Sequence, residues 1–188
     1  HQTINTDTSE ALLPNKEMRK LNHEHIFIYP YLSDNGLDLE DILPGLQDVG
    51  LPFKEDVFLK QAVKKLGDRY LEDGKTLLHG DYFPGSWLKT EDGIKIIDPE
   101  FCFFGDVEFE IGVTLAHLKM ANQPDALVEK ALKIYKDLSP IDDQLCKKFM
   151  AIEILRRILG LAQLPLNLDL EERKALLNEA RAILVTKG

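Results

Sequence analysis

The chain has 188 residues, of which 44% are hydrophobic and 29% charged, a composition typical of one globular domain with a substantial core. Its formal net charge of −9 at pH 7 works against binding to nucleic acid or to an anionic membrane. No apolar run approaches the roughly 20 residues of a membrane-spanning helix, and the first residues lack the basic and apolar regions of a signal peptide. With only two cysteines, Cys102 and Cys146, we expect reduced thiols in a cytoplasmic protein.

The first segment, residues 1–52, is predicted to be an irregular lead-in. Four prolines interrupt regular structure within it: Pro14, Pro30, Pro44 and Pro52. Its residues His25–Tyr29 are predicted to be a short extended segment. His23 and His25 would then share one face of a strand, but without a third ligand the pair does not indicate a metal site.

The second segment, residues 53–188, begins with a predicted helix from Lys54 to Leu71, where apolar residues recur at helical spacing. A β-rich section follows, with a short strand at residues 76–78. A hairpin is predicted next, because apolar residues 87–89 and 94–97 flank the turn sequence Glu91-Asp92-Gly93.

The remainder of the chain is predicted to be helical, with prolines between successive helices. The predicted helices are Ile111–Met120, Asp125–Leu138, Asp142–Ala162 and Asp169–Val185. The expected fold is therefore α+β and mainly helical, with its polar loops concentrated around a small β hairpin. His117, which lies in an apolar stretch of the first of these helices, is expected to be a buried core residue rather than a ligand.

Three carboxylates lie at the two ends of the predicted hairpin. Asp81 precedes the first strand, whereas Asp98 and Glu100 follow the second, so a tight hairpin would crowd all three together. Crowded carboxylates need a cation to offset their charge, and Mg²⁺ binds through one or two carboxylates plus substrate phosphates. The pattern indicates phosphoryl transfer, with one carboxylate as base and the others as metal ligands; the alternative is a turn-capping Asp81 beside a solvated pair.

The sequence His79-Gly80-Asp81 through Ser86, followed by Asp98-Pro99-Glu100-Phe101, resembles the catalytic and metal loops of aminoglycoside phosphotransferases, choline kinases and their relatives. The resemblance implies the C-terminal lobe of a protein-kinase-like fold. It also implies Asp81 as the catalytic base, His79 as a catalytic or structural loop residue, and Ser86 as a contact near the cofactor. Asp98 and Glu100 would bind Mg²⁺, and ATP would be the co-substrate.

Three features resemble those of the methylthioribose kinase subgroup in particular. Ser86 stands where many relatives have Asn, and Glu100 stands where many have a second Asp. The helix containing Arg156 and Arg157 also resembles the twin-arginine helix of that subgroup, which contributes to the sugar site. At helical spacing these arginines can also pair with Glu153, so ligand contact and internal pairing both stay open.

The sequence also departs from that subgroup in two places. Residues 82–84, Tyr-Phe-Pro, replace more polar residues, and Glu110 stands where the family pattern usually has Asp. The first change faces the catalytic Asp81 and bears on the identity of the acceptor. The second is expected to affect packing rather than chemistry.

The glycine-rich phosphate loop and strand lysine of such kinases have no counterpart in this sequence. The chain begins without Met, and we expect a fragment whose ATP-binding N-terminal lobe lies elsewhere and which transfers phosphate poorly alone. Residues 1–52 would then lie near the hinge to that lobe, and residues 53–188 would form the catalytic lobe, with catalytic loop 79–86 and metal loop 98–101. The expected partners are this lobe and a small-molecule hydroxyl acceptor, and a homodimer is left open.

The functional hypothesis is an ATP- and Mg²⁺-dependent kinase acting on a hydroxyl of a small metabolite similar to methylthioribose, with Arg156 and Arg157 as substrate contacts. An aminoglycoside, choline or homoserine kinase is the nearest alternative. From another class, the chain could be a non-catalytic kinase-like lobe that binds a metabolite or protein. A metal-dependent phosphohydrolase would account for the carboxylates but not for the twin-arginine helix.

Overall fold

The structure, a computed structural model, describes residues 15–185. The first 14 residues of the predicted lead-in, with Pro14, lie outside the described residues. The helices are α1 (Lys16–His23), α2 (Leu46–Glu55), α3 (Val57–Tyr70), α4 (Val107–Met120), α5 (Asp125–Leu138), α6 (Asp143–Leu159) and α7 (Leu170–Val185). The strands are β1 (Thr76–Leu78), β2 (Trp87–Thr90), β3 (Gly93–Ile96) and β4 (Phe103–Gly105). The expected α+β, mainly helical fold is confirmed.

Two antiparallel strand pairs are nested one inside the other. In the outer pair, Leu78 of β1 lies opposite Phe103 of β4. In the inner pair, Trp87 of β2 lies opposite Ile96 of β3. The outer pair therefore holds together the start of the 79–86 loop and the end of the 98–101 loop, while the inner hairpin connects the other two ends of these loops.

The core is organised around α6, which is buried at every position from Phe149 to Leu159. A helix that is apolar on nearly all sides needs neighbours on all sides, and α4 and α7 pack against it. At the α4–α6 contact, Gly112 allows a close approach, because a Cβ atom there would lie 2.8 Å from the backbone oxygen of Cys146.

The prediction of an extended segment at His25–Tyr29 is wrong. α1 leads into a π-helical turn, Glu24–Ile28, and then a 3-10 turn, Tyr29–Tyr31. Helical spacing places the His23 ring 5.3 Å from the ring of Phe27, which in turn lies 5.3 Å from the ring of Tyr70 on α3. This packing against α3 favours a helix over a strand.

The expectation of an irregular lead-in is also wrong for α1 and α2, which are regular helices. The division at residue 52 stays a prediction, and it falls inside α2. The predicted hairpin and the helices from residue 54 onward are confirmed, with ends shifted by a few residues, and α5 has the predicted bounds. Strand β4 was not predicted. None of the helices in residues 15–185 combines the length and apolar character needed to cross a membrane.

The close approach of α4 and α6 predicts the effect of Gly112→Ala. Glycine-to-alanine changes inside helices ordinarily stabilise by about 1 kcal/mol. Here the added methyl group would lie 2.7 Å from Cβ of Phe149, so we expect the free energy of unfolding to fall by about 1–3 kcal/mol. Urea unfolding of the two proteins measures the change, and a more stable variant would contradict the packing described.

Candidate active site

The loop containing Asp81 is held against the 98–101 loop by a close backbone contact at Gly80. Gly80 has φ +86, and a Cβ atom there would overlap the backbone carbonyl of Phe101. Only glycine combines this conformation with this approach. The geometry of the two loops therefore requires glycine at position 80.

Glu110, on the first turn of α4, holds the backbone of the same loop through hydrogen bonds. Its buried carboxylate accepts hydrogen bonds from the backbone N–H groups of His79 and Gly80, the latter at 2.9 Å. Burial raises the pKa of Glu110, while these two donors act in the opposite direction. Glu110 was expected to affect only packing; its position in an apolar helix was the available signal that it has a specific polar partner.

The carboxylate of Asp81 faces the two arginines of α6. Its Oδ1 atom lies 3.4 Å from Nη2 of Arg157 and 3.6 Å from Nη1 of Arg156. The Asp81 side chain is 23% exposed, whereas the arginine side chains are nearly buried. The structure thus brings together three predicted site residues and leaves the carboxylate accessible from outside.

Glu153 completes this cluster from one turn earlier on α6. Its Oε1 accepts from Nε of Arg157 at 2.6 Å, and its Oε2 accepts from Nη1 of Arg156 at 3.1 Å. Oε1 also lies 3.1 Å from Nε2 of His117. Burial alone would raise the pKa of Glu153, but the two arginines outweigh it and hold that pKa well below its ordinary range. The internal pairing considered for the arginines is therefore present, and it does not occupy all their donors.

Ser86 and His79 connect the two loops. The Ser86 hydroxyl is buried and donates to the backbone carbonyl of Asp81 at 2.9 Å. Nε2 of His79 lies 2.8 Å from the carbonyl oxygen of Ile97, directly before Asp98. Because a carbonyl can only accept, this nitrogen carries the hydrogen. Both contacts are structural, and the roles predicted for Ser86 and His79 in cofactor binding and catalysis stay predictions.

Asp98 and Glu100 lie in the loop that follows β3, and both are exposed. The 98–101 turn begins with Asp98 at φ 60, and Asn15 supports it by donating to the carbonyl of Glu100 at 2.7 Å. The crowding of three carboxylates is not observed, since no group of three or more metal-binding side chains occurs in residues 15–185. Asp81 is instead neutralised by arginine.

The remaining two carboxylates suit a magnesium ion. Mg²⁺ prefers oxygen ligands and commonly uses one or two carboxylates together with phosphate oxygens and water. Exposed carboxylates on a turn beside the Asp81 loop meet this requirement when a phosphate-bearing substrate supplies the other ligands. Their assignment as metal ligands stays a prediction.

The sequence of this chain is similar to those of known phosphotransferases. Residues 29–143 match the sequence model of the phosphotransferase enzyme family. The chain is 30% identical over 146 residues to methylthioribose kinase of Yersinia pseudotuberculosis, which covers 73% of this chain and 35% of that protein. It is 34% identical over 107 residues to methylthioribose kinase 1 of Oryza sativa subsp. japonica, covering 57% and 24%. It is also 34% identical over 108 residues to methylthioribose kinase of Bacillus velezensis, covering 55% and 26%.

The matches therefore span between about a quarter and a third of the length of these relatives. They confirm the resemblance that the 79–86 and 98–101 loops indicated.

The buried cluster predicts the effect of Glu153→Gln. Removing this charge leaves two buried arginines with Asp81 alone, so we expect the free energy of unfolding at pH 7 to fall by about 3–5 kcal/mol. Because the folded pKa of Glu153 is lowered, its contribution is complete above the unfolded value of about 4.3 and is lost as pH falls below it.

Chemical denaturation from pH 7 to pH 3 tests this, with Glu129→Gln as control because Glu129 is exposed on α5. The difference between wild type and Glu153→Gln should shrink on acidification, and the control should stay within about 0.5 kcal/mol of wild type. A difference independent of pH would contradict the ionised cluster.

Proposed function

The chain belongs to the phosphotransferase enzyme family, and from this premise we propose that it is the catalytic part of an ATP- and Mg²⁺-dependent kinase for a small metabolite. The acceptor is a hydroxyl group of a sugar similar to methylthioribose. The observation that carries the proposal is the position of Asp81, an accessible carboxylate on the 79–86 loop that lies against Arg156 and Arg157. The name shared by the relatives supports the choice of acceptor class.

In this proposal Asp81 is the base that receives the proton of the attacking hydroxyl. Such a group must reach the hydroxyl within hydrogen-bond distance, and the partial exposure of Asp81 allows this. Arg157, close to one carboxylate oxygen, fixes the direction in which the carboxylate faces. The Ser86 hydroxyl holds the Asp81 backbone, so the loop does not have to rearrange when a substrate binds.

Asp98 and Glu100 would hold Mg²⁺ beside the phosphates of ATP. The ion would neutralise the charge on the transferring phosphoryl group. His79 contributes indirectly, because its hydrogen bond to the carbonyl of Ile97 sets the distance between the base loop and the metal loop. Glu110 contributes in the same way through the backbone of His79 and Gly80.

Arg156 and Arg157 are proposed contacts for the acceptor. Nε of Arg156 is buried and has no hydrogen-bond partner among residues 15–185, although Glu153 compensates its charge. A buried donor without a partner is unfavourable, and an acceptor oxygen of a bound sugar would relieve this. At residues 82–84 the sequence departs from the methylthioribose kinase subgroup. An aminoglycoside, choline or homoserine-type acceptor is therefore the alternative to be tested.

We further propose that a second lobe of the same protein covers the β2–β3 hairpin and carries the ATP phosphate loop. The hairpin exposes apolar side chains that a covering lobe would bury: Leu88, 49% exposed; Ile94, 68%; and Ile96, 46%. Exposed apolar clusters of this kind mark interaction surfaces. The kinase activity is accordingly assigned to the whole protein that contains this chain.

The central test is Asp81→Asn in that whole protein, assayed by ADP release with ATP, Mg²⁺ and a panel of acceptors that includes methylthioribose. Loss of a general base should lower kcat by about 10²–10⁴-fold. Asp137→Asn, at an exposed position of α5 away from both loops of the site, is the matched control and should retain wild-type activity.

Turnover of another acceptor instead of methylthioribose would keep the kinase and change the substrate class. Absence of turnover with every acceptor, together with no binding of Mg²⁺-nucleotide, would overturn the proposal in favour of a non-catalytic lobe.

The metal assignment predicts the behaviour of Asp98→Asn and Glu100→Gln. Each removes one charged oxygen ligand, so we expect the Mg²⁺ concentration for half-maximal activity to rise at least about tenfold. Glu129→Gln, at an exposed position of α5, is the control. Unchanged Mg²⁺ dependence in both variants would contradict the assignment.

A further inference from the structure

His117 is a buried histidine that the proposed reaction does not use. It lies on α4, is 8% exposed and directs Nε2 toward Oε1 of Glu153 on α6, at 3.1 Å. Arg156 and Arg157 keep Glu153 ionised, so its oxygens can only accept. Nε2 of His117 therefore carries the hydrogen and donates it to Glu153.

The oxygen that His117 contacts is also the oxygen that orients Arg157. Oε1 of Glu153 accepts from Nε of Arg157 at 2.6 Å, and Nη2 of the same guanidinium lies 3.4 Å from Asp81. A continuous series of polar contacts thus runs from α4, through α6, to the catalytic loop. Oε2 of Glu153 contacts Arg156, so both carboxylate oxygens are held.

An aromatic ring joins the two ends of this series. Phe83, two residues after Asp81, has its ring centroid 5.0 Å from that of His117 and 4.9 Å from Cζ of Arg157. The histidine therefore constrains the guanidinium through the carboxylate and also through the ring against which it packs. A cation beside an aromatic face is itself stabilised by this contact.

We propose that His117 is a positioning residue that fixes Arg157, and through it the carboxylate of Asp81, in the orientation used for proton transfer. The inference rests on the proposed function, because it assigns Asp81 as the base. His117 touches neither substrate nor reacting atoms; it acts through Glu153 and Phe83.

The test compares three variants of the whole protein that contains this chain. His117→Leu removes the donor, His117→Gln keeps an N–H group that can reach Glu153, and Met120→Leu is the control, a volume-conserving change at another buried position of α4. We expect His117→Leu to lower kcat by about 10- to 100-fold, because the orientation of the base is lost. The acceptor KM should rise as well, because Arg157 is also a proposed contact for the acceptor. His117→Gln should restore most of kcat, and Met120→Leu should match wild type.

A second measurement does not depend on activity. Hydrogen exchange of the Nε–H group of Arg157, followed by NMR, should be about tenfold faster in His117→Leu and near wild type in His117→Gln, since the loss of one bond to a charged group loosens Glu153.

The outcomes separate the two claims. Normal kcat in His117→Leu, or equal losses in His117→Leu and His117→Gln, would overturn the positioning role while leaving the kinase intact. If wild type phosphorylates no acceptor but the Arg157 exchange follows the expected pattern, the series of contacts stands and the proposed function fails. Unchanged exchange in His117→Leu would overturn the inference whatever the activity.

Discussion

The carboxylate of Glu153 is the interaction on which the site depends. Burying two arginines near the middle of a protein is unfavourable unless their charge is compensated, and Glu153 with Asp81 supplies two negative charges against two positive ones. The same carboxylate accepts from His117 on the neighbouring helix. Glu153, on the buried helix α6, therefore both compensates the charge of the arginines and orients the catalytic loop.

A second constraint comes from the backbone. The β1–β4 pair places the beginning of the Asp81 loop next to the end of the 98–101 loop, Gly80 lets the two loops touch, and Glu110 satisfies two backbone N–H groups that would otherwise be buried without partners. Glu110, Glu153 and the two arginines lie on the packed helices α4 and α6, whereas the proposed base and metal ligands lie on the two loops. This division is typical of sites whose chemistry is carried by loops on a packed core.

Local signals in the sequence were sufficient for the hairpin and for the later helices, because periodicity, glycine and proline act over a few residues. They were insufficient for residues 25–29, where a continuous apolar run fits either a strand or a helix and the choice depends on contact with Tyr70. For the site, the spacing of Glu153 and the arginines allowed their pairing, which was one of two alternatives left open by the sequence. The contact between Asp81 and Arg157 spans 76 residues of sequence, and only the packed fold reveals it.

The nested strand pairs also have an evolutionary consequence. Because Leu78 and Phe103 fix the two ends of the 79–102 segment, the exposed turn at Glu91-Asp92-Gly93 lies outside the fixed region and away from the core. Lengthening an exposed turn has only a small effect on the entropy of loop closure. Insertions and deletions among descendants of this protein should therefore accumulate at that turn, while the separation between the two functional loops stays constant.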